Sequence, residues 1–320
     1  MPYHYPCSSV TTKLANIVSM LIKSSLQPSS VPTYRRAWNL FHLFLSSIFQ
    51  HAVVTLPISP SRIALFIAYL YDKNYAPSTV NTYVSAIGYT HKLYQLPDPS
   101  KAFFVLQLLR GYNKVGFRLD ARLPITLPIL HKLFSASPHV CNSPYQIARF
   151  KAMCALAFFA FLRVGEMTMT SNNTVSILQL HNLVTLVDTA KSSVCGLKLT
   201  FGDYKHSYNQ TPFSITISRQ QQFCPVDIIL DYLRMRGSQP GPLFITISGG
   251  IVSRENFCNC LASAFKFCGL DSSRYKGHSF RIGAASHAAE KGLSDTQIRL
   301  LGRWKSNAFL KYIRVPNLAT

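Results

Sequence analysis

The sequence predicts a mainly α-helical fold with a small antiparallel β-sheet, divided into an all-helical N-terminal domain and a mixed α/β C-terminal domain. Three observations predict it. Apolar residues recur at helical spacing along most of the chain. Two runs, 197–201 and 213–217, alternate at period two instead. A stretch bearing proline and basic residues, 117–134, interrupts the helical pattern between the two halves. With 320 residues, 48% of them hydrophobic, the chain can bury two cores and is too apolar to be disordered.

Residues 1–30, rich in Ser, Thr and Pro near "SSLQPSSVPT", are expected to form a flexible N-terminal segment. From Thr33 the pattern turns helical, with Tyr34, Trp38, Phe41, Leu45 and Ile48 recurring at spacings of three and four. "SPSRIALFIAYLYDKN" is a second helix, with Ser59 as N-cap and Pro60 at the first helical position. "APSTVNTYVSAIGYTHKLY" repeats the device, with Ser78 as cap and Tyr83, Ile87 and Tyr94 on one face. "SKAFFVLQLLRGYNKVG" is a fourth helix, ending at Gly111 or a little beyond. A helical domain over 31–122 and a second domain over 123–320 follow. The second opens with helices, notably 145–167, then turns β-rich. "GLKLTFG" and "FSITIS" flank a basic loop, "DYKHSYNQTP", as a β-hairpin, after which helices return.

Charge narrows the class of partner. Lys and Arg number 33 against 12 Asp and Glu, a net +21. Such self-repulsion is relieved by a polyanion, with nucleic acid ahead of an anionic membrane surface. The basic residues are spread along the chain, which suits a protein that wraps its partner. The apolar runs "IALFIAYLY" and "CALAFFAFL" are far shorter than the ~18 residues that span a bilayer. "MPYHYPCSSV" lacks the charged start and apolar stretch of a secretory leader, so an intracellular setting is expected, the nucleus in a eukaryotic host. Cysteines 7, 141, 154, 195, 224, 258, 260 and 268 form no CxxC pair. Reduced thiols account for them better than a zinc site at Cys258, Cys260 and Cys268.

Candidate functional residues emerge from local chemistry. Arg163, in "FLRVGEM", follows a strongly apolar run and must meet an anion, reach solvent, or serve as a helix C-terminal cation; Glu166 lies within one turn of it. Lys205 sits in the hairpin loop, where solvation alone would also explain it. His278 and Arg281, three apart at a helix start, share one face beside free N–H groups, an arrangement that receives anions. His287 on the same helix reads as a surface or packing residue. Tyr312 lies on a basic C-terminal segment, where most tyrosines serve in packing.

The order of these residues resembles the tyrosine recombinase family: an Arg in a turn, a Lys in a β-hairpin, His-x-x-Arg, a Gly-His/Trp turn, then Tyr. "FLRVGEM" resembles the family's first arginine motif, "HSFRIGAAS" the second, and "LLGRWKSNAFLKYIR" the turn and nucleophile helix. The Gly-Arg-Trp form is similar to recombinases of eukaryotic mobile elements of the DIRS and crypton types. The resemblance covers nearly the whole chain, since the helical N-terminal half is similar to the family's core-binding domain. It implies DNA strand cleavage and rejoining through a 3′-phosphotyrosyl intermediate, on double-stranded DNA, with self-assembly as a dimer or tetramer.

The chemistry of a phosphodiester agrees with that implication. Its nonbridging oxygens repel nucleophiles, so cations must face the developing charge, and arginine forks grip phosphate oxygens bidentately. Arg163 and Arg281 take this role. Lys205 protonates the leaving 5′ oxygen, His278 accepts the tyrosine proton or bonds a phosphate oxygen, and Tyr312 attacks. The scheme calls for no metal or nucleotide cofactor. Two features depart from the family. Arg303 stands where His or Trp usually follows the Gly, with Trp304 one place later. Trp304 is the preferred occupant of that role, and Arg303 the alternative as a third phosphate contact. Only eight residues follow Tyr312, where members often carry a further helix that docks into a neighbouring subunit. Two other readings stand beside this one: an inactive, domesticated DNA-binding protein on the same fold, and a type IB topoisomerase-like enzyme.

Overall fold

The computed structural model describes residues 8–27, 30–50, 54–117, 120–169, 177–190, 192–202, 212–221 and 223–314. The chain divides into two compact units, Met1–Asp120 and Ala121–Thr320.

The first unit is helical throughout its described residues. The segment expected to be flexible carries helix α1 (Ser8–Ser25), whose run "TKLANIVSMLIK" contains no Gly or Pro to break it. Next come α2 (Val31–Phe49), α3 (Pro60–Asp72), α4 (Pro77–Leu93) and α5 (Phe103–Val115). Ser59 caps α3 as its sequence predicts, accepting from the Arg62 N–H, with Pro60 opening the helix. In α4 the N-cap is Ala76 and Ser78 lies inside the helix, because Pro77 already occupies the first helical position. The α5 helix runs past Gly111 to Val115, since one exposed glycine costs too little to end it.

The core of this unit is aromatic. Phe41 and Phe66 meet edge to face at 5.0 Å, with Phe44 tilted against both. The inward face of α2 is Ala37, Phe41, Phe44 and Leu45, while Ile48 is exposed; Tyr94, past the end of α4, is exposed too. Buried His91 ties α4 to the segment before α3. Its Nε2 accepts from the Ile58 N–H at 2.9 Å, which leaves Nδ1 to donate to the Ile87 carbonyl at 2.8 Å.

In the second unit an extended segment leads into α6 (Leu127–Val140) and α7 (Pro144–Phe159). The α7 helix is buried along both faces from Ala152 to Phe158, because α6, α9 and α11 all pack on it. After the short α8 (Val164–Met167) comes a meander of β1 (Leu183–Asp188), β2 (Ser193–Phe201) and β3 (Phe213–Ser218), in order β1-β2-β3. Leu197 opposes Ile217, Leu199 opposes Ile215, and Phe201 opposes Phe213. Period-two alternation puts Leu197, Leu199, Ile215 and Ile217 on the buried face. The chain then forms α9 (Pro225–Arg236), α10 (Arg254–Phe267), α11 (Ser279–Glu290) and α12 (Asp295–Leu301), and ends in a short 3-10 helix, Asn307–Tyr312.

The α11 helix is the wall on which the site is built. Its small residues admit a neighbouring backbone: a Cβ on Gly283 would fall 1.8 Å from the Ile125 carbonyl oxygen. The extended segment is pinned there by Ile125 N–H to Ser279 O (3.0 Å) and Leu123 N–H to Arg274 O (2.9 Å). On another side, Phe161, Ala284, Ala285, Ala288, Ile298 and Phe309 form a small separate core beneath the C-terminal segment. No helix among the described residues is long and apolar enough to cross a membrane.

Candidate active site

Five of the six residues singled out in the sequence are described, and the second unit brings them together. Tyr312 closes the 3-10 helix, where a regular α-helix was expected. Trp304, Phe309 and Ile313 surround it in the small core. Its backbone is fastened to α11 through Ser286, whose hydroxyl donates to the Tyr312 carbonyl (3.4 Å) and accepts from the Arg314 N–H (2.7 Å). The Tyr312 hydroxyl lies 2.5 Å from Nε2 of His278, the N-cap residue of α11. The two residues are half-buried, so the pair stays within reach of solvent.

Arg281, one turn into α11, is 1% exposed. Its Nη1 donates to the Phe161 carbonyl at 2.5 Å and its Nη2 to the Gly302 carbonyl at 2.6 Å. The guanidinium lies 4.3 Å from the Trp304 ring centre, and its buried Nε has no hydrogen-bond partner among the described residues. Burial, with the positive charges of Arg163 and Arg303 nearby, pushes the Arg281 pKa down to about 9. A buried guanidinium kept among other cations is a site short of negative charge.

The chain bends sharply to supply these partners. The α7 helix stops at Phe159, and Phe161 takes a left-handed conformation (φ 52°) that turns its carbonyl toward Arg281. Arg163 is therefore not a helix C-terminal cation. It is the N-cap of α8, four residues beyond the end of α7, and its side chain is part-exposed. Glu166 accepts from the Arg163 backbone N–H at 2.8 Å and from its Nη1 at 3.2 Å.

The Gly302-Arg303-Trp304 turn sorts the two candidates for one role. Arg303, at φ 54°, sends its side chain away from Tyr312, where Nη2 donates to Glu166 Oε2 at 2.8 Å. Its guanidinium stacks 4.0 Å from the ring centre of Phe201, the last residue of β2. It is 6% exposed, held between Glu166 and Phe201. Trp304 has its ring centre 5.2 Å from that of Tyr312 and faces Arg281. Gly302 makes room for it: a Cβ there would come within 1.6 Å of the indole.

Lys205 lies outside the described residues; Phe201 and Phe213, which close the sheet on either side of its loop, are paired. His287 packs 5.7 Å from Phe158, and burial lowers its pKa, a packing role as its sequence suggests. Sequence reading passed over Phe161 and Ser286, saw Glu166 only as a partner for Arg163, and met Gly302 only as the first residue of the Gly-Arg-Trp turn. Only the glycine left a signal, in the bulky indole two places on. Among the described residues no three His, Cys, Asp or Glu side chains gather as a metal site.

No family model matches the sequence, and no curated protein matches it either. Its structure is similar to solved structures of recombinases. A lambda integrase dimer bound to a COC′ core site shares 12% identity over 97% of this chain and 82% of that chain, with a TM-score of 0.61. The XerH site-specific recombinase bound to a palindromic difH substrate, in a post-cleavage complex, shares 13% over 90% of this chain and 76% of that chain, with a TM-score of 0.59. The Tn1549 transposon integrase in complex with circular intermediate DNA shares 10% over 94% of each chain, with a TM-score of 0.57. Across 10–13% identity what is shared is the fold: this chain has the fold of the tyrosine recombinases and integrases.

Proposed function

We propose that this protein breaks and rejoins DNA strands with Tyr312 as the nucleophile. The observation that carries the proposal is the 2.5 Å contact between the Tyr312 hydroxyl and His278 Nε2, within a site whose other walls are Arg163 and Arg281. A phenol alone attacks phosphate slowly; a base at hydrogen-bond distance takes its proton as the O–P bond forms. Arg281 is held rigid by two carbonyls and an indole, and two hydrogen bonds leave its remaining N–H groups for phosphate oxygens. Arg163 supplies a second, more exposed fork, with Glu166 fixing its backbone. Trp304 packs against both Arg281 and Tyr312 and keeps water from that side.

In this scheme the Tyr312 oxygen attacks phosphorus and forms a 3′-phosphotyrosyl link. The 5′ oxygen leaves as a hydroxyl, with Lys205 as its proton donor. A second 5′ hydroxyl then reverses the step on a new strand, so the phosphodiester energy is conserved and site-specific recombination results. Double-stranded DNA as the partner is supported by the net charge of +21 and by the DNA-bound neighbours of the same fold. Assembly into at least a dimer on DNA is supported by the dimeric form of one of them.

The test is a covalent trap. The purified protein is incubated with a pool of nicked duplexes and resolved on denaturing gels. Tyr312→Phe should remove the DNA-linked band while leaving binding intact, and sequencing the trapped DNA identifies the site. Tight DNA binding with no adduct from any duplex would move the reading to the inactive DNA-binding descendant.

A further inference from the structure

The second unit contains a pair of thiols that the proposed chemistry does not use. Cys141 is the C-cap of α6, its backbone N–H held by the Ser137 carbonyl at 3.0 Å. Cys260 lies in α10, one turn after Phe257, which is buried in the core. They are 119 residues apart in sequence, yet packing of α6 on α10 brings their Sγ atoms to 3.5 Å. A disulfide needs ~2.05 Å, so the two sulfurs must close by about 1.5 Å to bond.

These thiols differ from Cys154, Cys195 and Cys268 in their surroundings. Cys154 is wholly buried, and desolvation pushes its thiol well above the usual range, as befits an inert packing residue. Cys195 is exposed and Cys268 half-buried, and neither has a sulfur neighbour among the described residues. Cys141 and Cys260 are half-buried, and both line a cavity of about 240 Å³ with a polar rim that includes Asn142, Gln146, Asn256 and Asn259. That space admits a small polar reagent. Arg149, on the same wall, is fixed by a hydrogen bond from Nη1 to the Ile245 carbonyl.

We propose that Cys141 and Cys260 form an oxidation site, in which a hydroperoxide entering this cavity converts the pair to a reversible disulfide between α6 and α10. The two sulfurs have distinct roles. The Sγ–Sγ contact with Cys260 holds the Cys141 thiol below its ordinary range, aided by the positive charges of Arg149 and Lys151. The Cys260 thiol is pushed up by the same contact and by burial. With Arg149 on the cavity wall and Lys151 near it to favour a thiolate, Cys141 is the attacking thiolate and Cys260 the resolving thiol.

In the first step the Cys141 sulfur attacks the terminal oxygen of the peroxide, and an S–O bond forms as the O–O bond breaks. The departing oxygen leaves as hydroxide, or alkoxide from an organic peroxide, and takes up the proton that the Cys141 thiol released to solvent on becoming a thiolate. In the second, Cys260 loses its proton to solvent and its sulfur attacks the Cys141 sulfenic acid. The S–S bond forms, the S–O bond breaks, and the hydroxyl leaves as water. Two thiols and one peroxide give one disulfide, one water and one molecule of water or alcohol. A cellular dithiol reverses it. Because the bond closes a loop of 119 residues, the oxidised second unit should melt at a higher temperature than the reduced one.

The experiment uses the full chain, fully reduced and then treated with hydrogen peroxide at a slight molar excess. Remaining thiols are alkylated, and the peptides are mapped by mass spectrometry without reduction. A Cys141–Cys260 linked peptide, forming faster than any oxidation of Cys195 or Cys268, is expected, with return to the free thiols on adding dithiothreitol. Cys260→Ser should instead accumulate sulfenic acid on Cys141, trapped by dimedone, while Cys141→Ser should leave Cys260 unmodified over the same time. The wild-type map needs no variant to fold. Oxidation spread evenly over the exposed and half-buried cysteines, or a Cys141 that remains alkylatable after Cys195 has reacted, would overturn the proposal.

Discussion

His278 Nε2 and the Tyr312 hydroxyl lie 2.5 Å apart although 34 residues separate them in sequence. The N-cap position holds the imidazole at the start of α11, and Ser286 fastens the Tyr312 backbone two turns further along the same helix. One rigid element therefore sets the distance between the imidazole and the phenol. Replacing His278 with Ala should slow strand cleavage by about 10²–10⁴-fold, the usual worth of a positioned base. DNA affinity should stay close to wild type. Single-turnover cleavage of a nicked duplex alongside equilibrium binding separates the two, and an equal loss of both would mean that His278 serves binding and not proton transfer.

Arg281 links the site to stability. Its pKa falls from the ordinary arginine range to about 9 on folding, so between those limits the unfolded chain holds more protons than the folded one. This group's contribution to stability accordingly rises with pH through that window and is at its least favourable below about 9. An anion beside it reverses the effect. At neutral pH, sulfate or vanadate should raise the melting temperature, with saturating anion contributing about 2–3 kcal/mol. Arg281→Met should lose that response, and thermal unfolding across an anion titration reads it directly.

Glu166 holds two arginines, and only one of them is buried. The Arg303 side chain is 1% exposed against 28% for Arg163. Glu166→Gln should cost about 3–5 kcal/mol, because it removes the negative charge paired with the buried Arg303 guanidinium. Combining it with Arg303→Met, whose side chain can still lie on Phe201, should recover most of that loss. Denaturant unfolding of the two single variants and the double variant closes the cycle.

Gly302 and Gly283 answer to different neighbours. A Cβ on Gly302 meets the Trp304 indole, a side chain that can swing away at the expense of its contacts with Arg281 and Tyr312. Gly302→Ala should therefore reduce cleavage far more than it reduces stability. A Cβ on Gly283 meets the Ile125 main chain, which cannot swing. Gly283→Ala should cost about 3 kcal/mol in stability and affect cleavage only through the folded fraction. Melting curves and cleavage rates for the two variants should rank in opposite order.

Much of this protein was written in local patterns. Ser59 and Pro60 announced a helix start, and the alternating Leu197, Leu199, Ile215 and Ile217 announced a hairpin, because caps and period-two faces are decided by residues adjacent in the chain. Of the three strands β1 escaped, for its partly exposed residues leave only a weak alternation. Arg163, His278, Arg281 and Tyr312 stood out through their order, which resembles that of the tyrosine recombinases, and the second unit gathers them in one place. Tertiary structure decided what no local rule reaches. It moved Arg163 from a helix end to an N-cap through the left-handed turn at Phe161, and it set Trp304, not Arg303, beside Tyr312 by giving Arg303 a half-buried carboxylate in Glu166. It also set Cys141 against Cys260. Each of these outcomes depends on which surfaces of distant segments fit together, and a packing free energy shared among many side chains has no period along the sequence.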